Sequence, residues 1–354
     1  MKIIQKLSLL IATLALFSVS CDNELQVNAD FKDITVIYAA LEANKDVNWV
    51  RVQRGYLGNE AASVSFDRTD SLYYPVDEID VLLREFEPGS ARSDEEREIP
   101  LQVDSTTFSL QPGTFTTEGH RLYRTPPGVE LDLDKDYEVV VIRKDNSEAY
   151  ARTSLIDNAV INDPNSRNPD PDVRVFRDRV EWQPVSGAAS HEVKVVYKFL
   201  EFDNNTKQST IDSISFSVLN ISPANEGSTG RSIETDIINR LAISNLEVKP
   251  NVFRFFKEIR IEIWSVGEDL QTFMELNQPS GGISQNKPAF PQVTNGTGVV
   301  STRSKASLNV PNINTSLENR IVRSNRLCDL RFAIVRNQGR DTCICDGTGS
   351  VRCF

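Results

Sequence analysis

Apolar and polar side chains alternate with a period of two along much of this chain, and this pattern constrains its fold more than any other feature. In the clearest run, every second side chain is apolar: Val193, Val195, Tyr197 and Phe199. A second run repeats the alternation at Ile259, Ile261 and Ile263. Successive side chains of a β-strand point to opposite faces, so each run predicts a strand with one buried face.

Shorter strands with turn residues between them are predicted elsewhere. They include Ile34–Leu41, the alternating runs around Val50 and Ile79, and the strong strand signal from Tyr137 to Ile142. This spacing favours sandwiches over alternating strands and helices. The pair Leu133 and Tyr137 resembles the tyrosine corner of immunoglobulin-like and fibronectin type III sandwiches. We therefore predict a mainly β chain with two β-sandwich domains of the immunoglobulin or fibronectin type III kind.

Two short helices are predicted within the second domain. The first has an apolar stripe at helical spacing, preceded by Ser232 as an N-cap: Ile233, Ile237, Ile238 and Leu241. The second has a stripe of Leu270, Phe273 and Met274. These stripes predict helical insertions in an otherwise β domain.

The first residues predict export. Lys2 and Lys6 precede an apolar stretch that is too short to span a bilayer, and small residues lead to Cys21. This order resembles a bacterial lipoprotein signal, in which Cys21 would become the acylated first residue. Two or more acyl chains anchor a protein firmly, whereas one is marginal. No later segment has the roughly 18 consecutive apolar residues of a spanning helix.

Six segments are predicted along the chain. They are a signal peptide at 1–20, a tether at 21–32, a β-sandwich domain at 33–156, a linker at 157–172, a second β domain at 173–327 and a cysteine-rich tail at 328–354. The linker is rich in Asp, Asn and Pro, which disfavour helices and central strands.

The chain is acidic. It has 39 Lys and Arg against 50 Asp and Glu, and removal of the signal peptide leaves 37 basic residues and a net charge near −13. Binding to nucleic acid or to anionic lipid headgroups needs clustered basic residues. We therefore predict no nucleic-acid partner, and a membrane attachment that depends on lipid.

Several segments together resemble a group of uncharacterised Bacteroidota outer-membrane lipoproteins with immunoglobulin-like domains. Besides Cys21 and the acidic residues after it, the likeness is carried by Ile34–Leu41, 47–57, 261–265, 286–290 and 294–301. This family has no known function. The resemblance implies an envelope role at the cell surface or the periplasmic face of the outer membrane, often beside TonB-dependent transporters.

Four cysteines lie in the C-terminal tail, which departs from that family: Cys328, Cys343, Cys345 and Cys353. Outside the cytoplasm, two disulfides are the simplest interpretation. Cys343 and Cys345 are too close for easy mutual pairing, so we favour a bond from each to Cys328 or Cys353. A four-thiolate zinc site is the alternative, although the usual two-residue gap within a cysteine pair is absent.

Two acidic segments are candidate calcium sites. Asp132, Asp134 and Asp136 alternate like a calcium loop, but Tyr137 replaces its glycine and Arg143 its last glutamate. Asp163, Asp170 and Asp172 in the linker form the second segment. A solvated strand edge and a flexible linker are the simpler interpretations, so we predict no metal and no cofactor.

No catalytic motif is present in the sequence. His120 and His191 lack a nucleophile at recognisable spacing, and neither Gly-x-Ser-x-Gly nor His-Glu-x-x-His occurs. Trp49, Trp182 and Trp264 could form a carbohydrate platform, although Trp182 alternates with Val180 and so favours the core. We expect a non-enzymatic, lipid-anchored binding or accessory protein. The alternatives are a surface glycan-binding lipoprotein and a hydrolase whose carboxylates converge in the fold.

Overall fold

A computed structural model describes residues 34–55, 72–105, 121–164, 174–221, 230–277, 290, 292–336, 341–345 and 351–353. The predicted signal peptide, the tether and Cys21 lie outside these residues. Strands dominate the described part, which confirms the prediction of a mainly β chain with a few short helices. The finer assignment to immunoglobulin-like or fibronectin type III sandwiches stays a prediction.

Nine strands are present in the part of the first half that the structure describes. They are β1 (Ile34–Leu41), β2 (Trp49–Gly55), β3 (Ile79–Phe86), β4 (Arg97–Pro100), β5 (Gln102–Asp104), β6 (Leu122–Arg124), β7 (Asp136–Arg143), β8 (Glu148–Ser154) and β9 (Val160–Asp163). One sheet has the order β4-β3-β7-β8. The strand β9 lies inside the predicted linker, where it pairs only at the edge of another sheet.

The described residues of the second half form eleven strands and four helices. The strands are β10 (Val175–Phe176), β11 (Arg179–Gln183), β12 (Ala188–Asp203), β13 (Ser209–Ile221), β14 (Arg231–Glu234), β15 (Val252–Gly267), β16 (Gly296–Val310), β17 (Asn312–Ile313), β18 (Phe332–Arg336), β19 (Asp341–Cys345) and β20 (Val351–Cys353). The helices are α1 (Ile237–Ala242), α2 (Glu268–Leu276), α3 (Thr315–Arg323) and α4 (Asn325–Asp329).

Two hydrophobic cores organise these elements. The first core lies between the sheet β4-β3-β7-β8 and a sheet that contains β1, β2 and β6. The second core is covered on one side by β12, β15 and β16, and on the other by β11, α1, α3 and α4. The alternation predicted for β12 is confirmed, since Val193, Val195, Tyr197 and Phe199 are all almost fully buried in the second core.

The predicted start of the first helix was wrong. Arg231–Glu234 forms β14, which pairs with β11 and so occupies the backbone groups that a helix would need. The helix begins only at Ile237, whose backbone N–H donates to Asp178 Oδ1 over 2.8 Å. The helix over Leu270 and Phe273 is confirmed as α2. The helices α3 and α4 were not predicted, although Asn314 accepts a hydrogen bond from the Leu317 N–H as an ordinary N-cap.

One strand, β16, belongs to both cores. Its first part pairs in parallel with β1 from Thr35 to Leu41, and its second part pairs antiparallel with β15. Val300 lies in the first core and Val310 in the second. At the junction, Thr302 donates to the Leu41 carbonyl over 3.2 Å and accepts from the Ile156 N–H over 3.1 Å. The predicted domain boundaries stay a prediction. The first core nevertheless contains Val300 of β16, so the segment predicted as the first domain, 33–156, does not form this core alone.

Two glycines allow β16 to approach β1. A Cβ atom at Gly296 would lie 2.6 Å from the Thr35 carbonyl oxygen, and one at Gly298 would lie 2.0 Å from the Ile37 carbonyl oxygen. Gly298 also has a φ of +114°, which side chains of L-amino acids rarely adopt. These positions therefore need glycine for the parallel pairing itself.

We predict that Gly298→Ala lowers the free energy of unfolding by roughly 3 kcal/mol or more, because it combines backbone strain with a steric clash. Urea denaturation followed by tryptophan fluorescence would measure the loss. Gly128→Ala is the matched control, since Gly128 has a φ of +80° but open space around its Cβ position. The control isolates the backbone strain, about 1 kcal/mol. Equal losses in the two variants would contradict a role of Gly298 in close strand packing.

Candidate functional site

An open groove of about 610 Å³ lies on the outer face of the first sheet. Its floor is formed by β1, β2 and β16, whose opposite faces fill the first core. Tyr38 lines the floor between its register partners Arg51 on β2 and Val299 on β16. Trp49 and Leu122 extend the floor along β2 and β6. The alternation of the strands therefore sets an aromatic surface outside the sheet.

Helix α2 forms one wall of this groove through Leu270, Phe273 and Met274. The ring centroids of Tyr38 and Phe273 lie 5.9 Å apart at an edge-to-face angle of 63°, a favourable aromatic geometry. The Leu270 N–H donates to Ser301 Oγ over 3.2 Å, which ties the first turn of α2 to β16. The wall is thus fixed to the floor by packing and by a hydrogen bond.

Charged side chains form the opposite rim. Arg303 Nε donates to Glu42 Oε1 over 2.7 Å, and Lys45 Nζ lies 3.8 Å from the other oxygen of the same carboxylate. Arg51 donates to the Tyr73 hydroxyl over 3.0 Å. Glu42 is buried, whereas the side chains of Lys45 and Arg303 remain 48% and 43% exposed. Among the described residues that line the groove, three cations therefore accompany a single carboxylate.

Trp264 supports this rim from the neighbouring strand β15. The Arg303 guanidinium lies 5.5 Å from its ring centroid and the Lys305 ammonium 4.8 Å, both within cation–π range. Lys305 also donates to Glu262 over 3.0 Å. Burial alone would raise the pKa of Glu262, but Lys305, Trp264 and Arg260 together outweigh burial, so this pKa lies below its ordinary value. The ring of Trp264 therefore contacts the charged groups of both Arg303 and Lys305.

The three tryptophans have three different environments. Trp49 lines the groove, Trp264 lies under the rim cations, and Trp182 is fully buried in the second core as its alternation with Val180 predicted. Sequence reasoning missed Tyr38 and Phe273 as site residues. A weak signal existed, because Tyr38 interrupts an aliphatic strand and Phe273 lies on the stripe of α2.

Among the described side chains of the tail, those of Cys328, Cys343 and Cys353 are disulfide-bonded. Cys343 and Cys353 are bonded to each other across β19 and β20, one of the pairings that we expected. Cys328 is also disulfide-bonded. A disulfide leaves no thiolate at Cys343 or Cys353, so the zinc alternative would need both bonds to be reduced.

The acidic candidates for calcium have partners within the protein. Asp132 Oδ1 accepts from the Asp134 N–H over 2.9 Å, and the nearly buried Asp136 accepts from Ser154 Oγ over 2.6 Å. Asp163 accepts from Arg179 over 3.3 Å, whereas Asp170 and Asp172 lie outside the described residues. Within the part of the chain that is described, no group of three or more His, Cys, Asp or Glu side chains could hold a metal ion.

His191 is a core residue, and His120 lies outside the described residues. His191 Nδ1 is 2.9 Å from Ser265 Oγ, and the imidazole meets the Trp182 ring edge-on at a centroid distance of 6.0 Å. His191 is 1% exposed and Ser265 is fully buried, so no substrate can reach this pair. Burial, together with the charge of Arg231, lowers the pKa of His191 to about 4.

Comparisons with known proteins add no family: no protein-family model matches the chain, and no curated protein matches it. Among the described helices, none has the length and hydrophobicity that crossing a membrane requires.

We predict that His191 makes the free energy of unfolding fall with acidification. The unfolded histidine takes up a proton near pH 6.5, whereas the folded one does so only near pH 4. Stability is therefore lost as the pH falls from about 6.5 towards 4, by up to about 3 kcal/mol from this group.

His191→Gln removes the titrating group and would flatten the dependence between pH 6.5 and 5. Urea denaturation at closely spaced pH values would compare the variant with the original protein. The carboxylates contribute equally to the pH dependence of the free energy of unfolding in both proteins. Parallel curves for the two proteins would show that His191 is not protected from protonation.

Proposed function

We propose that this chain is a non-enzymatic binding or accessory protein of the outer membrane, anchored by lipid at Cys21, and that the aromatic groove is its binding surface. The anchor is supported by the apolar leader, the small residues before Cys21 and the acidic residues after it. The groove supports a binding role because it combines a large concave volume with aromatic walls and a few convergent polar groups.

The groove favours binding over hydrolysis. Glycosidases need two carboxyl groups on either side of the scissile bond. Among the described lining residues, Glu42 is the one carboxylate, and it is engaged by Arg303 and Lys45. The groove therefore does not support the alternative of a hydrolase whose carboxylates converge in the fold.

Glycan binding is the form of this proposal that a specific observation favours. Trp49 and Tyr38 lie on the same face of the sheet, and Phe273 of α2 lines the groove with them. Sugar rings stack their C–H faces on aromatic side chains of this kind. The polar rim of Glu42, Lys45 and Arg51 supplies hydrogen-bond partners for hydroxyl groups. The partner implied by the family resemblance is a TonB-dependent transporter, which such a protein would assist at the membrane.

The anchor can be tested by metabolic labelling with palmitate. We expect label on the original protein and none on Cys21→Ser, which would also leave the membrane fraction, because the acylated thiol is lost. Ser20→Ala is the matched control, since alanine keeps a small residue before Cys21. Retention of Cys21→Ser in the envelope, as in the control, would contradict lipid anchoring.

The groove can be tested with a glycan array and calorimetry on the strongest ligand. Trp49→Ala should weaken binding about tenfold or more, because an aromatic stacking contact is lost. Phe253→Ala is the control, an equally half-buried aromatic on β15 outside the groove. Equal affinities of the Trp49 variant and the original protein would exclude this surface as the glycan site.

Binding to a transporter calls for a separate test, crosslinking in intact membranes followed by purification of this protein. A TonB-dependent transporter in the crosslinked fraction would support the accessory role. Recovery of the protein without any envelope partner would count against that role while leaving the glycan proposal intact.

A further inference from the structure

We infer that the groove recognises a sugar that carries a carboxylate, so that its ligand is an acidic glycan of the uronate class. This inference rests on the glycan-binding form of the proposed function and names its ligand. The observation behind it is the charge of the rim, which opposes the charge of the chain.

The whole chain carries a net charge of −11, yet the described lining of the groove carries Lys45, Arg51 and Arg303 against Glu42 alone. A local excess of positive charge on an acidic protein attracts anions selectively to that place. A neutral glycan would leave this excess uncompensated, whereas a carboxylate would neutralise part of it.

Arg303 is held in a position that suits such a ligand. Its Nε atom is occupied by Glu42 and its guanidinium plane is supported by the ring of Trp264, while 43% of the side chain remains exposed. Among the described residues, no hydrogen bond occupies its two Nη groups. Two parallel N–H donors match the two oxygens of a carboxylate, and a side chain already fixed loses little entropy on binding.

The aromatic floor adds the second requirement. The described lining brings Tyr38, Trp49 and Arg303 to the same cavity, so a ring stacked on the aromatic side chains could present its substituent to the guanidinium. A ring with an attached carboxylate meets both requirements in one residue. A free small anion meets only the second, because it has no ring to stack.

The inference can be tested with polygalacturonate, alginate and hyaluronate fragments, each paired with its carboxyl-reduced form. Isothermal titration should show that the acidic fragment of the preferred pair binds about tenfold or more tightly than its reduced form, and that the difference shrinks as NaCl rises from 50 to 300 mM, about the range over which charge screening becomes strong. Arg303→Gln should remove most of this preference, so that the variant binds the acidic fragment and its reduced form with similar affinity.

The matched control is Arg179→Gln, because the Arg179 side chain is 44% exposed and paired with carboxylates but lies outside the groove. Equal binding of acidic and reduced fragments would overturn the inference and leave the groove as a neutral-glycan site. Binding of mannose 6-phosphate in preference to every uronate would also overturn it, in favour of a phosphate ligand. Failure of both the acidic and the reduced fragments to bind would overturn the glycan proposal together with the inference.

Discussion

The parallel pairing of β1 with β16 is the contact on which the rest of the structure depends. It joins segments 261 residues apart at the Thr302–Leu41 hydrogen bond, and it closes the sheet that covers the first core. Such a distant contact carries a large loop-closure cost, which burial of Ile37, Leu41 and Val300 on the same sheet offsets. Because β16 then continues into the second core, the two cores share this strand. They cannot separate unless the pairing of β16 with β1 or with β15 is lost.

The groove also depends on the pairing of β1 with β16. Tyr38 belongs to β1, Arg303 to β16, and Phe273 to the helix that precedes β16, so the surface exists only once these segments have met. Its polar rim is equally composite, since Glu42 follows β1 while its partner Arg303 lies on β16. The proposed binding surface and the fold therefore depend on the same strand pairing.

Local pattern predicted the strands well and the site poorly, for a physical reason. The alternation of Val193, Val195 and Tyr197 reports which side of a strand is buried, and that side is set within a few residues. The position of Tyr38 beside Phe273 depends on strand order, which has no local signature. The wrong helix start at Ile233 has a similar cause, because β11 provides β14 with a sheet partner that outweighs its helical spacing. The resemblance to outer-membrane lipoproteins rests in part on Cys21, which lies outside the described residues.

The geometry of β1 and β16 also determines how the protein would respond to mechanical force. A tether attached ahead of Ile34 would pull β1 backwards, while the second core would hold β16 from its far end near Val310. Because the two strands run in the same direction, such tension would slide one along the other and load all their hydrogen bonds in shear at once. Bonds loaded together resist far more force than bonds opened one after another, so the junction would remain intact under drag that would unzip a hairpin.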